Sequence, residues 1–197
     1  MKEQKRKAIR AAATKLFAQK GYENTTTRDI AGAAKISSAA LYYYFDSKED
    51  LLYQILDETI TNGLRLLSRI GEGEKTLSEK LSSILWMHTR AAVDYNKMKL
   101  LVHDQKSLSS KHKELISKKQ RDYVQFLIKI LDDLKKEGKT IDIDTTVCAF
   151  AFFGMVSWAY RWYNPRGRIK PSELANIFNQ IFTQGIFLNP EDEFPKA

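Results

Sequence analysis

The chain has 197 residues, is 43% hydrophobic and 28% charged, and carries a net charge of +8 with a pI near 9.4. That length allows one large domain, or a small one plus a larger one, while the lone cysteine, Cys148, excludes an internal disulfide and fits a reducing compartment. The positive balance favours a polyanionic partner such as nucleic acid, and residues 1–50 hold half of it, with ten Lys/Arg against six Asp/Glu.

The first predicted helix places Ile9, Ala12, Ala13, Leu16 and Phe17 on one face and stops at Gly21, a residue suited to a left-handed C-cap. Lys2, Lys5, Arg6, Lys7 and Arg10 form a basic arm at its start, which suits DNA phosphates and a solvated helix face equally. The same segment is charged and amphipathic without the apolar stretch of a secretion signal, so a cytoplasmic protein is expected.

Thr26 followed by Asp29 is a capping-box pattern, and Ile30, Ala33 and Ala34 share the face of the short helix it opens. Lys35-Ile36 supplies a tight connection. Ser37 then caps a second helix running to about Phe45, with Ala40, Leu41, Tyr44 and Phe45 toward a core and Ser38, Ala39, Tyr42 and Tyr43 left for other surfaces. Two short helices with a tight connection, small residues opening the second and a tyrosine cluster closing it, read as a helix-turn-helix. In that motif the N-terminal end of the second helix enters the major groove. Ser47-Lys48-Glu49-Asp50 repeats the capping pattern and opens a helix whose first N–H groups, with Lys48, can hold a phosphate.

That helix carries Leu52, Ile55, Leu56, Ile60, Leu64 and Leu67 in register to about Ile70, before the break GEGEK. Thr76 and Glu79 form a further capping box ahead of a stripe through Leu81, Ile84, Leu85 and His88. A shorter helix is predicted from about Lys97 to Ser107. A long one from about Lys111 to Lys136 is expected to bury Leu115, Tyr123, Phe126, Leu127, Ile130, Leu131 and Leu134, ending at Gly138. Val147 to Trp162 reads as one helix that is apolar around nearly its whole circumference, and so is buried on more than one side, one against its own domain and the other against a ligand cavity or a partner subunit; it is too short to span a bilayer. The helix after Pro171 adds a stripe of Leu174, Ile177, Phe178, Ile181 and Phe182, which with its predecessor could complete a two-fold four-helix interface. The expected fold class is all-α, divided into a helix-turn-helix unit over residues 1–46 and a larger helical unit over 47–197.

An enzyme is not supported by any linear motif. His88, His103 and His112 lack metal-site spacing, there is no cysteine pair, and no nucleophile elbow or phosphate-binding glycine loop occurs, so no catalytic residue, metal or cofactor is expected. A helical adaptor that binds protein would use the apolar C-terminal face but leaves the basic tyrosine-bearing unit unexplained.

From about Lys5 to Leu52 the chain resembles the DNA-binding domain of the TetR family of bacterial regulators, through AAATKLFAQKGY, TTTRDIAGAAKIS and LYYYFDSKEDLL. The resemblance implies base or groove contacts from Arg28, Ser38, Ala39, Ala40, Tyr42 and Tyr43, and phosphate contacts from Thr27, Ser37, Tyr42 and Lys48. It also implies a homodimer paired through its last two helices on double-stranded operator DNA, most simply a repressor. Lys35 departs from the family pattern, which places Gly in that turn; a left-handed Lys there costs about 1 kcal/mol.

FFGMVSWAYRWYNPRGRIKPSELANIFNQIFTQGI, with LSSKHKELISKKQRDY upstream, is similar to the effector domain of TetR-family repressors that respond to acyl-CoA thioesters in fatty-acid or steroid breakdown. An acyl chain needs an elongated apolar cavity, for which Trp86, Phe126, Phe153, Met155 and Trp158 are the candidates, and a CoA head needs basic residues at the mouth. Arg161, with Arg166, Arg168 and Lys170, is the nearest basic cluster. His88 and Arg90 are further polar candidates, although for His88 a hydrogen-bonded core role outweighs ligand contact. Hydrophobic cations, held by cation–π contact in a repressor of drug efflux, are the alternative effector class.

Overall fold

Local capping residues set the helix starts. In the computed structural model, which describes residues 2–184, Thr26 Oγ1 accepts the N–H of Asp29 while the Asp29 carboxylate accepts the N–H of Thr26, closing the box that opens α2 (Thr27–Ala33). Ser37 caps α3 (Ser38–Tyr44), Ser47 caps α4 (Lys48–Glu72) and the Thr76/Glu79 box opens α5 (Leu77–Ala92). Each cap satisfies an N–H that has no partner within its own helix. Before them comes α1 (Lys2–Lys20), which ends where Gly21 adopts φ +84 and returns its N–H to Phe17 O at 2.9 Å.

Downstream lie α6 (Tyr95–His103), a 3-10 turn (Asp104–Ser107), α7 (Ser110–Lys136), α8 (Thr145–Ser157), the short α9 (Ala159–Trp162) and α10 (Pro171–Gln184). No strand occurs among the described residues, so the all-α expectation holds. The sixth helix starts earlier than its apolar pattern indicates because Asp94 caps it, and its last turn tightens into the 3-10 segment.

Two expectations are corrected. Leu115 is 41% exposed, and its neighbour Ile116 is fully buried instead. The long helix therefore presents a face rotated by one residue in its first turns, where it meets the N-terminal core. Val147 to Trp162 is also not a single helix. The chain turns at Trp158, which lets Tyr160 swing inward until its hydroxyl lies 2.6 Å from His103 Nε2 on α6. The outer side of α8, which its sequence leaves for a ligand cavity or a partner subunit, is not covered by the described residues of the protomer, since Val147, Phe150 and Trp158 are all more than half exposed.

Two apolar cores result. The first joins Ile9, Phe17, Ile30, Leu41 and Phe45 to Leu51, Leu52, Ile55, Leu56 and Ile60 of α4, with Leu100 of α6, Leu108 after the 3-10 turn and Ile116 of α7 reaching in. The second gathers Leu67, Leu81, Ile84, Leu85, Leu127, Leu131, Phe152 and Phe178. Burying each such side chain contributes roughly 1.5–3 kcal/mol. Because α4 supplies residues to both cores, it is a strut of about 37 Å between them, at 1.5 Å per residue over its 25 residues.

Two helices end in the same way with different residues. At the close of α7, Gly138 (φ +67) donates to Lys135 O and Lys139 donates to Leu134 O, each at 3.0 Å. At the close of α2, Lys35 (φ +54) donates to Gly32 O at 3.1 Å and Ile36 to Ala31 O at 3.0 Å. Both are Schellman closures, and the left-handed position carries Gly in one and Lys in the other. Lys35→Gly is expected to stabilise the protein by about 1 kcal/mol, read as a shift in urea midpoint. Lys35→Ala keeps a Cβ in the same conformation and brings no such gain.

Candidate nucleic-acid interface and ligand cleft

The end of α3 that follows the turn presents Ser37 and Ala39 to solvent, with Ser38 and Ala40 half-buried beneath them. Leu41 and Phe45 anchor the opposite side in the first core, so Tyr42 and Tyr43 are driven outward, 54% and 67% exposed. Arg28 of α2 is exposed and Thr27 half-buried. The Asp29 carboxyl is held down at about 2, first by the Thr26 N–H, then by the Thr26 hydroxyl and Lys20. The cap of α2 thus stays charged at any physiological pH.

The basic arm divides. Arg10 is spent on two carboxylates, Glu3 and Glu58, each at 2.8 Å, and Arg6 donates to Gln54 Oε1 at 2.8 Å while lying over the Phe45 ring. Lys2 sits 4.8 Å from the Tyr43 ring centroid, which ties the start of α1 to the end of α3. Lys5 and Lys7 remain exposed. Lys48 donates to Tyr22 O at 2.9 Å and Thr25 O at 3.1 Å and lies over the Tyr22 ring. An ammonium has three N–H donors, so one is left for a phosphate.

The seam between α4 and α7 is polar at one end and aromatic at the other. Glu49 accepts from the Ser109 N–H at 2.9 Å and faces His112 Nδ1 at 2.8 Å, and the His112 ring stacks on Tyr53 at 3.9 Å. Burial pushes the Glu49 carboxyl up, but the Ser109 N–H and His112 outweigh it, and the net shift is downward. One step along, Lys119 bridges Asp57 and Thr61. Farther on, Gly63 and Gly71 let the Tyr123 and Phe126 rings rest against the α4 backbone; a Cβ at either glycine would lie 2.8 Å from a ring carbon.

The sequence-derived effector residues fall in three places. His88, Phe126, Phe153 and Met155 belong to or pack on the second core. His88 Nδ1 lies 3.0 Å from the Tyr123 hydroxyl, as a core histidine should, while its Nε2 is buried without a partner among the described residues. Although the residue as a whole is partly exposed, its ring lies among Tyr123, Phe152 and Phe153, and burial lowers its pKa to about 4. Trp86 instead lines an open cleft of about 730 Å³ between the end of α4, α5 and α10, with Arg90 stacked over its ring. Trp158 and Arg161 form a stacked pair on the outer surface, away from both. The loop bearing Arg166, Arg168 and Lys170 is exposed. The basic residues that do line the cleft, Arg69 and Lys75, are invisible to a motif search, because a cation near a helix C-terminus reads simply as a dipole partner.

Residues 9–55 match the family model described as bacterial regulatory proteins, tetR family, and residues 74–186 match tetracyclin repressor-like, C-terminal domain. The chain belongs to the TetR family. As a TetR-family protein it is a transcriptional regulator that binds double-stranded DNA and acts as a homodimer. It is 29% identical over 187 residues to the HTH-type transcriptional repressor KstR2 of Rhodococcus jostii, covering 88% of this chain and 87% of that protein. Among solved structures it is similar to AibR in complex with isovaleryl coenzyme A and operator DNA, with TM-score 0.80, 26% identity and coverage of 93% of this chain and 100% of that one. The TetR-family regulator PfmR of Thermus thermophilus aligns with TM-score 0.84 and 28% identity, over 91% of this chain and 98% of that one. No helix among the described residues of this TetR-family chain is long and apolar enough to cross a membrane.

Proposed function

We propose that this regulator is a repressor which grips a near-palindromic operator through two copies of α3 and releases it when an acyl-coenzyme A thioester or a related fatty acyl compound binds the larger helical unit. The observation that carries the reading is the first turn of α3. Small residues there leave the backbone free to approach a groove floor, and the outward Tyr42 and Tyr43 flank that approach. Residues 1–46 serve as the DNA-reading unit, Arg28, Ser38, Ala39, Ala40, Tyr42 and Tyr43 meeting the groove and Thr27, Ser37 and Lys48 the phosphates. Residues 47–197 serve effector binding and pairing, residues 185–197 lying outside the described structure.

Pairing through the outer sides of α8 and α10 covers Val147, Phe150 and Trp158, and places the two reading heads about 34–36 Å apart or at a related multiple. The effector class is supported by the likeness to AibR, whose complex holds isovaleryl coenzyme A, and to the fatty acid metabolism regulator protein of Bacillus subtilis. The route from effector to operator is α4. Rings of α7 rest in its two glycine notches, and its first turn is clamped to α7 by Glu49 and His112, so a shift of α7 moves the strut that carries α3. Only a ligand that binds the two arrangements with different affinity can drive this, and a coupling of about 1–3 kcal/mol changes operator affinity roughly 5–150-fold. In this reading the protein is a cytoplasmic regulator without catalytic activity.

Tyr42→Ala is expected to lower affinity for the operator roughly 10-fold per half-site while leaving the dimer mass unchanged. Gel shifts beside light scattering check it, and a dimer with undiminished operator affinity removes Tyr42 from the interface. The effector class is tested by titrating acyl-CoAs, free fatty acids and cationic dyes against the operator complex; release by dyes alone transfers the protein to the drug-responsive class.

A further inference from the structure

The cleft between the end of α4, α5 and α10 is an open groove that brings apolar, basic and amide side chains together. Its volume of about 730 Å³ lies within the roughly 300–1,000 Å³ that small-molecule sites occupy. Leu66, Ile70, Trp86 and Met87 form its apolar wall, and Leu66 and Trp86 stand 44% and 37% exposed there. Arg69 and Lys75 stand in the same wall, with Glu74 the one carboxylate among the lining residues. Lys75 Nζ donates to Ser83 Oγ at 2.9 Å, and among the described residues neither cation is paired with a carboxylate. Asn179 of α10 also lines the cleft, and its Oδ1 is buried with no hydrogen-bond donor among the described residues. An amide oxygen removed from water without a donor is unfavourable, and a bound ligand can supply the missing N–H.

We infer that this cleft receives the pantetheine-phosphate arm of a coenzyme A thioester. The inference rests on the acyl-CoA reading above and assigns residues to it. The chemistry of that arm matches the wall group by group: its methyl and methylene carbons lie on Leu66, Ile70, Trp86 and Met87, one of its amide N–H groups donates to Asn179 Oδ1, and its phosphates meet Arg69 and Lys75. A free fatty acid has no N–H to give Asn179. A hydrophobic cation meets two cations at the wall.

The test is calorimetric titration of the full-length protein with isovaleryl-, octanoyl- and palmitoyl-CoA, and with the N-acetylcysteamine thioester of the acyl group that binds best. That thioester keeps an amide N–H and lacks phosphates. The double variant Arg69→Gln/Lys75→Gln is expected to bind the acyl-CoA about 10-fold or more weakly and the N-acetylcysteamine thioester as well as wild type does. Asn179→Leu is expected to weaken both ligands about 5-fold or more without lowering the melting temperature, since among the described residues its oxygen has no partner to lose. A merely structural Asn179 would lower the melting temperature and leave both affinities alone. If wild type binds an acyl-CoA and all variants bind it equally, the cleft assignment is overturned and the effector reading stands. If wild type binds none of the acyl-CoAs, the effector reading falls and this inference falls with it.

Discussion

Phe150→Asp is expected to convert the protein to monomers and to lower operator affinity by about 100-fold or more. Phe150 is 58% exposed on the outer side of α8, between Val147 at 64% and Trp158 at 57%, and at Gly154 on the same helix an added Cβ would meet nothing within 4 Å. Such a continuous apolar face is unfavourable in water and fits a copy of itself across a two-fold axis. A carboxylate at its centre must be desolvated without a partner when two copies meet, a penalty of several kcal/mol that both protomers incur. Since the side chain touches solvent in the protomer, the helical fold survives, and circular dichroism should be unchanged. Loss of operator binding follows because two linked heads engage their half-sites together, whereas separate heads bind one at a time. Light scattering and gel shifts read both effects. A variant that remains dimeric shows that another face pairs.

Acidification toward pH 5 is expected to destabilise the protein through His88. Burial holds the His88 pKa at about 4, against 6.5 for the unperturbed ring. Between those values the unfolded chain binds a proton that the native chain refuses, so stability rises with pH across this window. The contribution is complete above pH 6.5 and shrinks as pH falls toward 4. Between pH 7.5 and pH 5 the loss amounts to about 2 kcal/mol, from 1.36 kcal/mol per pKa unit. His88→Phe removes the titration, so the gap between wild-type and variant unfolding free energies should narrow or reverse by that amount as pH falls. Paired urea melts at the two pH values measure it; parallel loss in both proteins would show that His88 is not the group responsible. Glu49, whose folded pKa is depressed below 4.5, contributes stability that is lost only as pH falls below about 4.5, beneath the range of these melts.

Much of this protein is legible without coordinates because its helix starts and stops are local chemistry. Thr26 with Asp29, Ser37, Ser47 and Thr76 with Glu79 each act within three residues, and the Gly21 and Gly138 ends each act within one turn. The outward positions of Tyr42 and Tyr43 follow from the inward pull of Leu41 and Phe45, again inside a single short helix. Even the strained turn at Lys35 is foreshadowed by a Lys where the family resemblance implies a glycine.

What depends on which helices touch could be settled only in three dimensions. Leu115 and Ile116 are adjacent and equally apolar, and the neighbouring N-terminal core alone decides that Ile116 goes in. The helix break at Trp158 answers to His103 of α6, which draws Tyr160 inward. The open cleft takes Arg69 from α4, Trp86 from α5 and Asn179 from α10, residues that no spacing rule connects. Caps and periodicities are short-range and energetically self-contained, so amino-acid order determines them directly. A cleft is the space left between surfaces, and its contents are chosen by the packing that leaves it.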